Sequence, residues 1–128
     1  MKRAHVIALA LIAILLAAVV FAPVPGDTRW IRTLHNSAHA PIFGCVALLA
    51  LFVIRSRWQQ SNLISQYTLA LAAVFGLGVI TELLQIPAGR DASFEDALHD
   101  VIGALAFLGI FAAFDPRVRA LPRSSQIR

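Results

Sequence analysis

Four long apolar runs, separated by short polar stretches, account for nearly the whole chain. They cover residues 4–22, 38–54, 63–86 and 96–114. None shows the strict apolar–polar alternation of a half-buried strand. Each approaches the roughly 20 residues, with a range of about 17–25, that a helix needs to cross the hydrocarbon layer of a bilayer. The second run is the shortest, at about 25 Å of helix, which is still sufficient. The pattern therefore predicts an all-α membrane protein built as a bundle of four transmembrane helices. One domain fills residues 1–116, and a basic tail over residues 117–128 follows it.

Punctuation between the runs supports these bounds. Pro23, Pro25 and Gly26 end the first helix, because proline cannot continue helical hydrogen bonding. Pro41 is best accommodated in a first turn, which predicts that the second helix starts after Ser37. His35 then falls just before that helix and His39 in its first turn. Pro87 and Gly89 end the third helix, Ser93 or Asp96 caps the fourth, and Asp115-Pro116 closes it. Trp30 and Trp58 lie in the polar connections, where indole rings anchor at headgroup level. The opening, Lys2 and Arg3 before an apolar run, also resembles a signal peptide. The run is longer than the usual ~7–15 residues, however, and Ala22 is followed by Pro23, so an uncleaved first helix is expected.

Composition narrows the class further. Of 128 residues, 59% are apolar and only 14% are charged, with a mean hydropathy of +0.75. This excludes an ordinary soluble domain. The net charge of +4 does not indicate nucleic acid, because the basic residues flank the apolar runs. With four spans, Lys2, Arg3, Arg55, Arg57, Arg117, Arg119, Arg123 and Arg128 share one side, against Arg29, Arg32 and Arg90 on the other. The excess of positive charge predicts cytoplasmic termini and an outward-facing connection between the third and fourth helices. A lone Cys45, lying within an apolar run, excludes an internal disulfide.

Candidate chemistry concentrates in residues 82–103, where ionisable groups interrupt otherwise apolar sequence. Such groups at the edge of a hydrocarbon layer are costly and need a partner or a function. Glu82 and Gln85, three apart, share a helix face, while Asp96, Asp100 and Gly103 form one stripe of the fourth helix. Gly103 would let another helix approach closely. Arg90, at the tip of the connection, offers a fork to phosphate or carboxylate, or neutralises the neighbouring acids. Glu82 reads equally as an acid/base group or as an inter-helix partner, and Gln85 as inter-helix glue. Asp96 gains from the helix dipole without any further role. Asp100, deeper in the span, must be protonated or paired. Asp91 and Glu95 read as solvated loop charges, and His5 as an interfacial residue. His35, His39, Glu82, Asp96, His99 and Asp100 include enough donors for zinc. The His-x-x-x-His spacing is common by chance and Pro41 disturbs its geometry, so no metal and no cofactor is expected. Nor does a serine or cysteine nucleophile stand in a recognisable turn.

These residues resemble the VanZ-like family, small integral membrane proteins named for a teicoplanin-resistance determinant. The family pattern has Asp-Lys and a His opening the second helix, then Glu and Gln ending the third. An Arg follows in the connection, then Asp, Asn and Gly in the fourth helix. His39 and Phe43 match the early positions, and Glu82, Gln85, Arg90, Asp96 and Gly103 the later ones. Two departures stand out: His35-Asn36 replaces Asp-Lys, and Asp100 replaces Asn. The resemblance covers residues 34–109. It implies a protein of the bacterial inner membrane that modulates the cell envelope or glycopeptide susceptibility. His39, Glu82, Gln85, Arg90, Asp96 and Asp100 would bind a membrane lipid head or a lipid-linked cell-wall precursor. Two alternatives stay open. One is a membrane enzyme using Glu82 or Asp100 as acid/base and Arg90 against negative charge. The other is a structural partner of a further membrane protein or of a second copy. Without a recognised catalytic motif, the non-enzymatic reading is favoured.

Overall fold

A computed structural model describes residues 2–21, 28–88 and 94–120. The described elements are α1 (Lys2–Phe21), α2 (Arg29–Arg57), α3 (Leu63–Gln85), a single 3₁₀ turn (Ile86–Ala88), α4 (Phe94–Phe114) and a short α5 (Pro116–Arg119). The protein is all-α, and α1 to α4 are each long and apolar enough to cross a membrane.

The second helix departs most from expectation. It begins at Arg29, not after Ser37, and carries Pro41 in its interior. Thr28, in extended backbone geometry, precedes it, and no glycine or proline interrupts residues 29–40. Pro41 cannot donate to the carbonyl one turn back, a loss that a membrane helix tolerates when its surroundings re-satisfy the backbone. Twenty-nine residues make about 43 Å of helix, more than the roughly 30 Å hydrocarbon layer. Its first turns therefore extend beyond the apolar span, Ser37–Arg57. His35 accordingly sits within the helix rather than before it.

Smaller shifts occur elsewhere. α4 starts at Phe94, so Asp96 lies in its first turn beside Glu95 and is not the cap. Ser93 lies outside the described residues. Asn62 caps α3 by accepting from the Ser65 amide at 2.7 Å. The start of the predicted tail is helical, with Pro116 in the first turn of α5 and Asp115 as its cap. Residues 121–128 are outside the described set.

Side-chain contacts fix an up-down-up-down order. His5, near the start of α1, bonds Ser56 at the end of α2. Gln85, at the end of α3, reaches the Val19 carbonyl near the end of α1. His39 of α2 meets Asp100 of α4, and further along the same two helices Arg55 meets Asp115. One end of the bundle thus gathers His39, Gln85 and Asp100, and the other His5, Arg55 and Asp115.

α2 is the spine. It buries Phe43, Val46, Ala47, Leu51 and Ile54 against Ala70 and Val74 of α3, Ala104 and Leu108 of α4, and Val19 of α1. That spacing is the apolar stripe of a core-facing helix. Within a bilayer, apolar burial gives little drive for helix association, so close packing of small residues must supply it. The α2–α4 seam does this. A Cβ on Gly103 would lie 1.9 Å from the Ala40 carbonyl oxygen, and one on Gly44 2.5 Å from the Phe107 ring. The outer surface shows Ile7, Ile14, Phe75, Leu83, Ile110 and Phe114, as a lipid-facing bundle requires. Cys45 also lies on this outer surface rather than in the core.

Candidate functional site

Three helices bring polar side chains together at the Glu82 end of the bundle. α2 contributes His39, α3 contributes Thr81, Glu82 and Gln85, and α4 contributes Asp96 and Asp100, all of them buried. The helical repeat explains the grouping. His39 lies one turn before Phe43 on the core stripe of α2, and the two rings stack with centroids 6.2 Å apart. Glu82 lies one turn after Gly78, and Asp100 one turn after Asp96, so each pair shares a helix face.

The centre of the site is the His39–Asp100 pair. His39 Nδ1 lies 3.0 Å from Asp100 Oδ1, and each side chain is only 1% exposed. With the proton assigned to Nδ1, the imidazole donates to the carboxylate. The second oxygen, Asp100 Oδ2, has no hydrogen-bond partner among the described residues. It points at α3, where a Cβ on Gly78 would approach it to 2.9 Å. Gly78 thus leaves room for the carboxylate between the helices. Glu82 completes the centre: one donor atom from each of His39, Glu82 and Asp100 falls within 4.8 Å of the others.

Around this centre, Gln85 donates to the Val19 carbonyl at 3.4 Å and ties α3 to α1. Thr81, which sequence reasoning passed over, donates to the Gly78 carbonyl at 2.7 Å. It lies one turn before the buried Gln85 on the same face of α3, and a short hydroxyl side chain within an apolar run gave no separate signal. Asp96 and Glu82 lie close enough to act electrostatically on the His39 ring. His99 is not part of the centre, because its Nδ1 turns back to donate to the Glu95 carbonyl at 2.7 Å. Glu95 itself is exposed in the first turn of α4 and not in a loop. Arg90 and Asp91 lie outside the described residues, and the His35 side chain is likewise not described.

A second polar cluster, at the opposite end, was missed entirely in the sequence. Arg55 donates from Nε to Gln66 Oε1 at 3.2 Å and from its terminal nitrogen to Asp115 Oδ2. Tyr67 donates to the same carboxylate oxygen at 3.1 Å, and the Arg117 amide donates to Oδ1 at 3.0 Å. Gln66 gives its amide hydrogens to the Trp58 and Ser61 carbonyls. The Arg55 guanidinium also sits over the Tyr67 and Phe111 rings, 5.2 and 5.4 Å from their centroids. Burial pushes the Asp115 carboxyl up, but the hydrogen bonds from Arg55, Arg117 and Tyr67 and the Arg55 charge outweigh it and hold the group below its ordinary range. The available signal was the Asp-Pro pair, which marks a cap whose second oxygen is free to bind elsewhere.

Comparison with family models, with curated proteins and with solved structures finds no match for this chain.

Proposed function

We propose that the protein is an integral membrane protein of VanZ-like type that binds the polar head of a membrane lipid, or of a lipid-linked cell-wall precursor, at the Glu82 end. The observation that carries this reading is Asp100 Oδ2, a fully buried acceptor left without a hydrogen-bond partner between three helices. A buried acceptor of this kind calls for a donor. Headgroup ammonium or sugar hydroxyl groups supply donors at the depth where a span meets the headgroup layer. Glu82, Asp96 and Gln85 extend the acceptor surface, and Arg90 in the adjoining connection would take a phosphate or carboxylate of the same ligand. The excess of basic residues at the Arg55 end supports an orientation with both termini in the cytoplasm and this site facing outward, in the inner membrane of a bacterium. Modulation of the cell envelope, with glycopeptide susceptibility as its cellular readout, follows from holding such a ligand.

Native mass spectrometry of gently extracted protein tests the reading. A phospholipid or cell-wall precursor should accompany the wild type and be lost from Asp100→Asn and Arg90→Ala. Equal ligand occupancy in all three, or a bare wild type, overturns it. A second reading, acid/base catalysis on the same ligand, draws on the His39–Asp100 pair with Glu82 opposite. Glu82→Gln separates the two: it keeps most hydrogen bonding and removes proton transfer. Retained binding with an accumulating unreacted ligand would identify an enzyme.

A further inference from the structure

We infer that His39, Glu82 and Asp100 form a binding site for a first-row divalent transition ion of the zinc type. This proposal departs from the expectation from sequence, where six scattered donors gave no reason to place a metal. The fold selects three of the six and brings one atom from each within 4.8 Å of the others.

The donor spacing fits an ion as well as it fits the hydrogen bond. Two ligands of one ion at 2.0–2.1 Å stand about 2.9–3.4 Å apart, from octahedral to tetrahedral angles. His39 Nδ1 and Asp100 Oδ1, 3.0 Å apart, already have that separation. A neutral imidazole frees Nδ1 for the metal by carrying its proton on Nε2, and the two carboxylates ligate in their ionised form. Glu82 projects from the same face of α3 as Gly78, toward which Asp100 Oδ2 points, and its carboxylate, within 4.8 Å of the other two donors, offers the third ligand. Asp100 Oδ2, buried and without a hydrogen-bond partner, is the second observation that points to an absent ligand. One imidazole with two carboxylates favours zinc, manganese or iron over calcium or magnesium, which take oxygen ligands throughout. Three protein ligands leave at least one coordination position open.

The inference draws on the same orphan Asp100 oxygen as the lipid reading but is tested apart from it, since an ion can bind in detergent with no lipid present. The test uses full-length protein purified through a tag without histidines, stripped with chelator, and titrated with Zn2+ and with Co2+ near neutral pH. The wild type should take up about one ion per chain by elemental analysis, and Co2+ should give the visible absorption of a four- or five-coordinate site. Asp100→Asn, Glu82→Gln and His39→Ala should bind at least ~100-fold more weakly, whereas His99→Ala should bind as the wild type does. Folded wild type that takes up no ion on titration, a Co2+ titration without new absorption, or variants binding as well as the wild type would each overturn the site. The wild-type titration decides the matter even if the variants fail to fold. Lipid retained without metal would sink this inference alone, and metal retained without lipid would sink the lipid reading alone.

Discussion

The two polar ends of the bundle are built from similar residues and finished differently. At the Arg55 end, Arg55, Gln66, Tyr67 and Asp115 claim one another: both Asp115 oxygens accept, and both groups of the Gln66 amide are used. At the Glu82 end, three helices again converge, yet Asp100 keeps one buried oxygen that no described side chain or amide reaches. A closed network is a device for holding helices in register, because every group removed from water or headgroups is repaid within the protein. An open one invites something from outside. Burial alone does not separate the two ends, since Asp100 and Asp115 are both buried. The state of the last acceptor does.

The sharpest way to break this contrast is to substitute one residue at each end. Arg55→Ala leaves Asp115, itself 4% exposed, without its cation. Removing one partner of a buried pair costs 3–5 kcal/mol, and the partial exposure of Arg55 places this case at the lower limit, about 3 kcal/mol. Thermal unfolding in detergent should show a large fall. Asp100→Asn keeps shape and one acceptor for His39, so its cost should stay within about 1 kcal/mol while ligand or metal binding is lost. Equal destabilisation at both ends would mean that the Glu82 end is also a structural clamp and not a binding site.

A smaller effect separates helix packing from the polar groups themselves. Gly103 lies one turn below Asp100, against the Ala40 backbone, and Gly103→Ala forces the two helices apart because a carbonyl cannot swing aside as a side-chain tip can. Overpacking of this kind typically costs about 1–3 kcal/mol. The displacement should be felt at the Glu82 end, loosening the His39–Asp100 bond, while the Arg55 cluster about three turns away stays intact. Cysteine crosslinking between α2 and α4 at each end would report it. Loss of crosslinking at the Arg55 end alone would contradict this placement of the close contact.

How much of this was legible beforehand follows from the range of the interactions. The four spans could be read because hydrocarbon thickness imposes a run length that any one segment displays by itself. Glu82, Gln85, Asp96 and Asp100 could be placed on helix faces because three- and four-residue spacing is local. The meeting of His39 with Asp100, 61 positions apart, is tertiary, and no spacing rule selects His39 over His99. Pro41 misled for the opposite reason: a local preference for helix starts gave way to a longer helix that begins at Arg29 and carries the proline in its interior. The Arg55 cluster stayed hidden because each member had an adequate local explanation. Arg55 served as a flanking charge, Asp115 as a helix terminator, and Gln66 and Tyr67 as ordinary members of an apolar run.

The finest difference between the ends is in their response to acid. Asp115 lies past the last residue of the fourth span, and its carboxyl is held below its unperturbed value of 3.8. The unfolded chain therefore binds the proton first as pH falls. Stability from this group is fully present above the unfolded value and disappears as pH drops through the lower folded value. Unfolding temperature should thus be flat with respect to Asp115 from neutral pH to about pH 5 and decline below about pH 4. Asp115→Asn should be less stable at neutral pH and should lack that part of the acid decline, since an amide does not titrate. Tyr67→Phe, which removes a single donor to the same carboxylate, should weaken both effects slightly. An acid profile unchanged by Asp115→Asn would show that the Arg55 cluster does not draw its strength from the ionised carboxylate, and the closed end would then be held by packing of Arg55 against Tyr67 and Phe111 instead.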